Sequence, residues 1–298
     1  MKRWLLGIAL LLSAPLAHAA LQVFACEPEW AALTREIAGD GADVYTATSA
    51  REDPHRVQAR PALIAQLRRA DALICTGADL EVGWLPLLLR QARNPALQPG
   101  QPGHILAADA VTLLEVPASV DRAEGDVHPQ GNPHIQVDPR RIAVVAQRLA
   151  EQLAQVDPAG ADNYRSRAAD FERRWGVALK GWEKRAAKLR GRRVVVHHAE
   201  WVYLFDWLGI QTAGALEPKP GLPPAAGHLA SLKASLAARP ADAIVRSPIT
   251  DPRPAEWLAG ETGLPLIELP QTVGATPDAG DLFALFDAIL SRLSGGLR

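Results

Sequence analysis

Tyr164, Ala168, Phe171, Trp175, Ala178, Trp182, Ala186 and Leu189 recur at steps of three or four along a stretch that Asp157 and Pro158 open and Gly191 closes. The spacing predicts one amphipathic helix over residues 157–190, with Asp157 as N-cap and Pro158 in the first turn. Gly176 and Gly181 weaken the stripe without breaking it. At 1.5 Å per residue such a helix runs about 45 Å, longer than a small domain is wide. It reads as a rigid strut between two bodies.

Both flanks alternate strand and helix. Before the strut, "LQVFAC", "ADVYTAT" and "DALICTG" read as strands, with a weaker one around "HILAAD". The segments "PEWAALTREIAG", "ARPALIAQLRRA" and "LEVGWLPLLLRQA" read as helices. In the first of these Trp30, Leu33 and Ile37 share a face, between Pro28 and Gly39. A polar loop over 115–135 leads into the helical "PRRIAVVAQRLAEQLAQV". After the strut, "RRVVVHH", "ADAIVRS" and "PLIELP" read as strands. The segments "EWVYLFDWLG", "GHLASLKASLAA", "RPAEWLAGETG" and "DLFALFDAILSRL" read as helices. Alternation of this kind implies right-handed crossovers and mostly parallel sheets. The expected fold is α/β: two similar lobes, 20–156 and 191–298, joined by the long helix 157–190, with a cleft between them.

The first nineteen residues, "MKRWLLGIALLLSAPLAHA", combine Lys2 and Arg3, a short apolar core and a small-x-small end at Ala17-His18-Ala19. That is the pattern of a secretory signal cleaved after Ala19. No cysteine stands at the cleavage point, which argues against a lipid anchor. The expectation is an exported, periplasmic protein. The chain has 32 lysines and arginines against 33 aspartates and glutamates, a net charge of −1. A surface so nearly balanced argues against nucleic acid or anionic lipid as partner.

The two cysteines, Cys26 and Cys75, each end a strand-like run. Export permits a disulfide between neighbouring parallel strands, and two buried free thiols are the alternative. A two-cysteine metal site is disfavoured, because the cysteines form no close Cys-x-x-Cys pair.

Histidine is scarce. His55 lies in a loop after the second strand and His134 lies in "GNPHIQVDP", each behind a proline that stiffens the backbone. His197 and His198 end a strand, where open α/β sheets place their ligands. Strand alternation predicts that one of this pair faces the cleft and the other does not. Three neutral imidazoles meeting in a cleft would suit zinc or another borderline divalent ion. His104 and His228 read as exposed loop histidines, and His128 as either a capture residue or a bystander. Glu27 and Arg246 follow strands and could pair in the cleft. The connector "EPKPGLPP", 217–224, carries no evident chemistry.

"DPHRVQARPALIAQLRRADALICTGADLE", "GNPHIQVDP", "HHAEWVYLFDWLGI" and "PQTVGATPDAGDLFALFDAIL" occur in this order. On these segments the chain resembles the periplasmic substrate-binding proteins of zinc and manganese ABC transporters, the zinc-uptake type in particular. The resemblance implies two lobes, a long helix and one metal ion at their interface. It implies His55, His134 and His198 as ligands, the last because Tyr203 follows it by five residues. A histidine at the third position, where manganese members commonly have a carboxylate, favours Zn2+ over Mn2+. The aspartate that family members often carry after the last strand is missing; Pro270 and Gln271 stand there. The fourth ligand is then water, His128, or a carboxylate among Glu268, Asp278 and Asp281. The long His-rich loop of many relatives is also absent.

The implied function is capture of a divalent ion, zinc first, and delivery by a monomer to an inner-membrane ABC permease, with no reaction catalysed. A manganese or iron receptor is the alternative on the same scaffold. A periplasmic zinc hydrolase is disfavoured, since His-Glu-x-x-His and Gly-x-Ser-x-Gly are both missing. An organic-solute receptor would need an aromatic pocket. Trp30, Trp175 and Trp182 lie instead on helix faces.

Overall fold

The computed structural model describes residues 20–119 and 125–297; the leader read over 1–19 lies outside the described residues. The first sheet contains β1 (Leu21–Ala25), β2 (Ala42–Thr46), β3 (Ala72–Cys75) and β4 (His104–Leu106), in the order β2-β1-β3-β4. The second contains β5 (Arg193–Val196), β6 (Gln211–Ala215), β7 (Ala243–Arg246) and β8 (Leu266–Glu268), in the order β6-β5-β7-β8. Every pairing is parallel. The two lobes therefore share one topology, and in each the chain reverses direction across the sheet beside the first strand. Crevices at such switch points, beyond the carboxyl ends of the strands, are where open α/β sheets bind ligands.

β6 was not among the strands expected from sequence. It is a half-exposed edge strand, "QTAGA", with a register shift opposite Val194 and Val195. Its Thr, Gly and Ala residues carry no apolar alternation for a pattern reading to detect.

The helices are α1 (Pro28–Ala38), α2 (Pro61–Arg69), α3 (Leu85–Ala92), α4 (Pro139–Val156), α5 (Ala161–Ala186), α6 (Val202–Leu208), α7 (Ala226–Ala238), α8 (Pro252–Thr262) and α9 (Leu282–Gly296). α5 is the long helix, extended at each end by a 3-10 turn, Pro158–Gly160 and Ala187–Leu189. Asp157 is not the N-cap of α5, a place that Gly160 takes. It ends α4 and opens the 3-10 turn, and its carboxylate accepts from the Tyr164 hydroxyl at 2.7 Å.

The apolar stripe of α5 is buried against both lobes. One continuous core runs from β1 and α1 through α4 and α5 to α6 and α9. Trp175 occupies its middle, with ring centroids 5.0 Å from Phe171, 5.0 Å from Trp182 and 4.8 Å from Phe283. Smaller clusters cover the other face of each sheet, around Phe24, Leu67 and Trp84 in the first lobe and Val195, Leu236 and Leu258 in the second. In the first of these Cys26 and Cys75 form a disulfide, with Cα atoms 4.8 Å apart and both residues fully buried.

One device recurs in the loops. Asp53, Asn94, Asn132, Asp138 and Asp251 each precede a proline, and each side chain accepts a hydrogen bond from the backbone N–H two residues on. Proline fixes the intervening φ and the Asx oxygen closes the turn. Two of these turns end on histidine.

Candidate metal centre

His55 and His134 are those two histidines. Asp53 Oδ1 accepts from the His55 backbone N–H at 3.0 Å and lies 2.8 Å from His55 Nδ1. A carboxylate only accepts, so Nδ1 carries the proton and the Nε2 lone pair is left free. That Nε2 is buried without a protein partner. Burial pushes the Asp53 carboxyl up, but the hydrogen bond and charge of His55 outweigh it and hold the group below its ordinary value.

Asn132 Oδ1 accepts from the His134 N–H at 3.0 Å, while its Nδ2 donates to the Ala199 carbonyl at 2.8 Å across the cleft. The Tyr203 hydroxyl donates to the Asn132 carbonyl at 2.5 Å and accepts from Leu114 N at 3.0 Å. His134 is 6% exposed. Burial first, and then the neighbouring imidazoles, hold it well below the usual histidine range, so its ring is neutral.

His198 lies two residues beyond β5, with Nδ1 2.7 Å from Glu217 Oε2. Burial pulls this histidine down, but the Glu217 hydrogen bond and the nearby carboxylates outweigh it and leave it raised. The pairing follows from register. Val196 lies opposite Ala215 in the β5–β6 ladder, and two further residues on each strand bring His198 level with Glu217. The connector from 217 therefore does carry chemistry, contrary to expectation.

The three rings stand 5.3–5.8 Å apart, centroid to centroid. One ligand-capable atom from each of His55, His134 and His198 lies within 4.8 Å of the others. His128 joins them, its ring 5.3 Å from that of His55 and its Nδ1 buried without a partner. Burial lowers its pKa to about 4, which keeps it neutral. The cluster opens on a cleft of about 630 Å³, also lined by His197, Glu200 and Glu217. Both His197 and His198 thus face the cleft, against the alternation expected of a strand. The backbone stays extended through both, with His197 N donating to the Val245 carbonyl at 2.9 Å, and the cleft wraps around the strand end to reach each ring. Burial raises Glu200 to about 7, and the charge of His198 opposes that shift.

The remaining candidates are engaged elsewhere. Glu268 pairs with Arg246, Asp278 with Arg292 at 2.8 Å, and Asp281 caps α9 by accepting from Ala284 N at 2.8 Å. Glu27 does not meet Arg246; it accepts from Thr76 Oγ1 at 3.3 Å beside Glu81. His104 Nδ1 is bonded to the Leu97 carbonyl and His228 Nε2 to that of Ala215; each is half-buried on a strand or helix, not in an exposed loop.

Two loops meet over the cleft. Asp126 N donates to the Pro220 carbonyl at 2.9 Å and Arg56 Nη2 to that of Gly221 at 3.0 Å, while Gly221 N donates to Glu217 at 2.9 Å. Gly125 has φ +84°, and a Cβ there would lie 2.2 Å from the Pro220 carbonyl oxygen, so only glycine fits this crossing.

Two parallel α/β lobes on one long helix, with imidazoles from both lobes converging in the cleft, define the fold of cleft-type metal-binding receptors. The chain belongs to the ZnuA family, described as zinc-uptake complex component A, periplasmic, whose model matches residues 23–296. It is similar to the zinc-binding lipoprotein AdcA of Streptococcus pneumoniae serotype 4, at 23% identity over 203 residues, 67% of this chain and 39% of that one. The match thus spans well under half of that relative's length. It is also similar to the iron ABC transporter substrate-binding lipoprotein MtsA of Streptococcus pyogenes serotype M1, at 20% identity over 93% of this chain and 89% of that one. A crystal structure of ZnuA superposes with a TM-score of 0.78 at 20% identity, covering 94% of this chain and 100% of the other.

Proposed function

We propose that the protein is an exported receptor that captures one divalent metal ion, zinc first, between its lobes and passes it to a membrane ABC permease. The observation that carries this reading is the convergence of His55, His134 and His198 from three separate segments. Neutral imidazoles are zinc ligands, and carboxylates on the far nitrogens of His55 and His198 orient the rings and raise their basicity. His128 is the nearest candidate for a fourth ligand. The reading assigns no catalysed reaction. It divides the chain into a signal at 1–19, a lobe at 20–156, a linking helix at 157–190 and a lobe at 191–298.

Manganese or iron on the same scaffold is the second reading, favoured by the buried Glu200 carboxylate that lines the cleft. Calorimetric titration of the chelator-stripped protein with zinc and then manganese decides between them. Tight one-to-one zinc binding with far weaker manganese binding is expected; manganese binding as tight as zinc would replace the first reading with the second.

Two variants probe the parts that orient the ligands. Glu217→Ala frees the His198 ring and is expected to weaken zinc binding about 10- to 100-fold, the usual cost of losing such a partner. Unchanged affinity in the same titration would show that the carboxylate does not act on the metal site. Gly125→Ala forces a left-handed alanine against the Pro220 carbonyl, at a cost of about 1–3 kcal/mol where the loops cross. Zinc release to an excess of chelator, followed by stopped flow, should become several-fold faster. An unaltered release rate would mean the loops do not retain the ion.

A further inference from the structure

A second group of metal-ligating side chains, sharing no residue with the cleft histidines, lies in the first lobe. Cys26, Cys75 and Glu81 each place a ligand atom within 4.8 Å of the others, and all three residues are buried. The position follows from the topology: Cys26 is one residue beyond β1 and Cys75 is the last residue of β3, so both stand at this sheet's switch point. Glu81 is bent back onto the same strand end. Its carboxylate accepts from Thr76 N at 2.7 Å and Gly77 N at 3.0 Å. Gly77, Ala78 and Asp79 all take positive φ to bring it there, at 79°, 50° and 63°. Backbone strain of this kind, carried by two residues other than glycine, concentrates at functional sites.

Glu27 supplies the second, independent observation. It is 3% exposed, its Oε2 accepts from Thr76 at 3.3 Å, and its Oε1 is buried without a partner. The Glu27 and Glu81 carboxyls lie within hydrogen-bond reach of each other. Two carboxylates so placed, away from water, need a positive charge between them, either a shared proton or a metal cation.

We propose that Cys26, Cys75 and Glu81, with Glu27 beside Glu81, form a second metal site for a thiophilic divalent ion such as zinc or cadmium, and that the disulfide masks it. Two sulfurs and one or two carboxylate oxygens make a donor set suited to zinc. Oxidised, the sulfurs are bonded to each other and offer no thiolate. A dithiol that reduces the bridge becomes a disulfide itself and leaves two thiols. A divalent ion then displaces the two thiol protons and the proton shared by the glutamates, all of which pass to water. An ion held there would be enclosed at the strand ends of the first lobe. The disulfide thus confines the oxidised protein to a single bound ion.

Cadmium alone is the probe, because thiolate-to-cadmium charge transfer gives an ultraviolet band that histidine and carboxylate ligands do not. The full chain is reduced in denaturant with a water-soluble phosphine, refolded without oxygen and titrated beside the oxidised protein. Oxidised protein should take one equivalent without the band. Reduced protein should take two, with the band growing on one of them. Reduced Cys75→Ser should lose the band and one equivalent. Reduced Glu81→Gln should bind that equivalent at least about tenfold more weakly. One equivalent and no band in the reduced protein would overturn the proposal. So would a full band in Cys75→Ser, or loss of both equivalents on reduction, since the site requires the reduced chain to keep its fold. Failure of the cleft reading would look different: the oxidised protein would bind no cadmium while the reduced protein still developed the band.

Discussion

His134→Ala is expected to weaken zinc binding by about 100-fold or more while leaving the fold in place. The estimate comes from structural zinc sites, where about 10–16 kcal/mol is shared among four ligands, so one ligand carries about 3 kcal/mol, or two decades of affinity. His134 is the most enclosed member of the cleft cluster and is neutral, so none of its binding energy is spent on removing a proton. Its backbone stays pinned in the variant, because the Asn132 side chain bonds the backbone N–H and not the ring. His104→Ala is the control. That ring bonds the Leu97 carbonyl, so the variant should lose about 1 kcal/mol of stability and no zinc affinity. Titration of both variants by calorimetry is the check; equal affinities would remove His134 from the ligand set.

The parts of this molecule that were legible in sequence are those that local pattern specifies. Buried parallel strands such as "LQVFAC" and "RRVVVHH" announce themselves as apolar runs, and α5 by its stripe. β6 was not legible, because an edge strand of Thr, Gly and Ala has nothing to alternate. That omission had a consequence for the site: without β6 beside β5, nothing places Glu217 level with His198, nineteen residues earlier. Asp53 and Asn132 were within reach of a sequence reading. Asx-Pro-His occurs twice, and the Asx oxygen two residues before each histidine is the natural acceptor for its N–H. Glu268, Asp278 and Asp281 drew attention for the opposite reason. They are acids in the right stretch of chain, and only the fold reveals that Arg246, Arg292 and the start of α9 already hold them.

The stability of the whole depends on α5 more than on any single loop, and Trp175→Ala is the substitution expected to expose this. Trp175 is 1% exposed and packs edge-on against Trp182, Phe283 and Phe286, with Phe171 stacked on its other side. Its Nε1 donates to the Pro139 carbonyl at 2.7 Å, at the start of α4. One side chain thus ties the middle of the long helix to α4 and to α9. Truncation of a buried tryptophan costs about 3–5 kcal/mol, with the stranded carbonyl adding to it. At about 2–4 °C per kcal/mol for a chain of this size, the melting temperature of the metal-free protein should fall by roughly 6–20 °C. Trp175→Phe keeps most of the ring packing and should lose far less. Zinc should recover part of the difference if His55 and His134 on one lobe and His198 on the other are its ligands, as proposed, because an ion so held favours only the folded arrangement. The opposite result is equally informative. A loss below about 1 kcal/mol, in the range of surface substitutions, would mean that each lobe stands on its own core and that α5 spans them without holding them together.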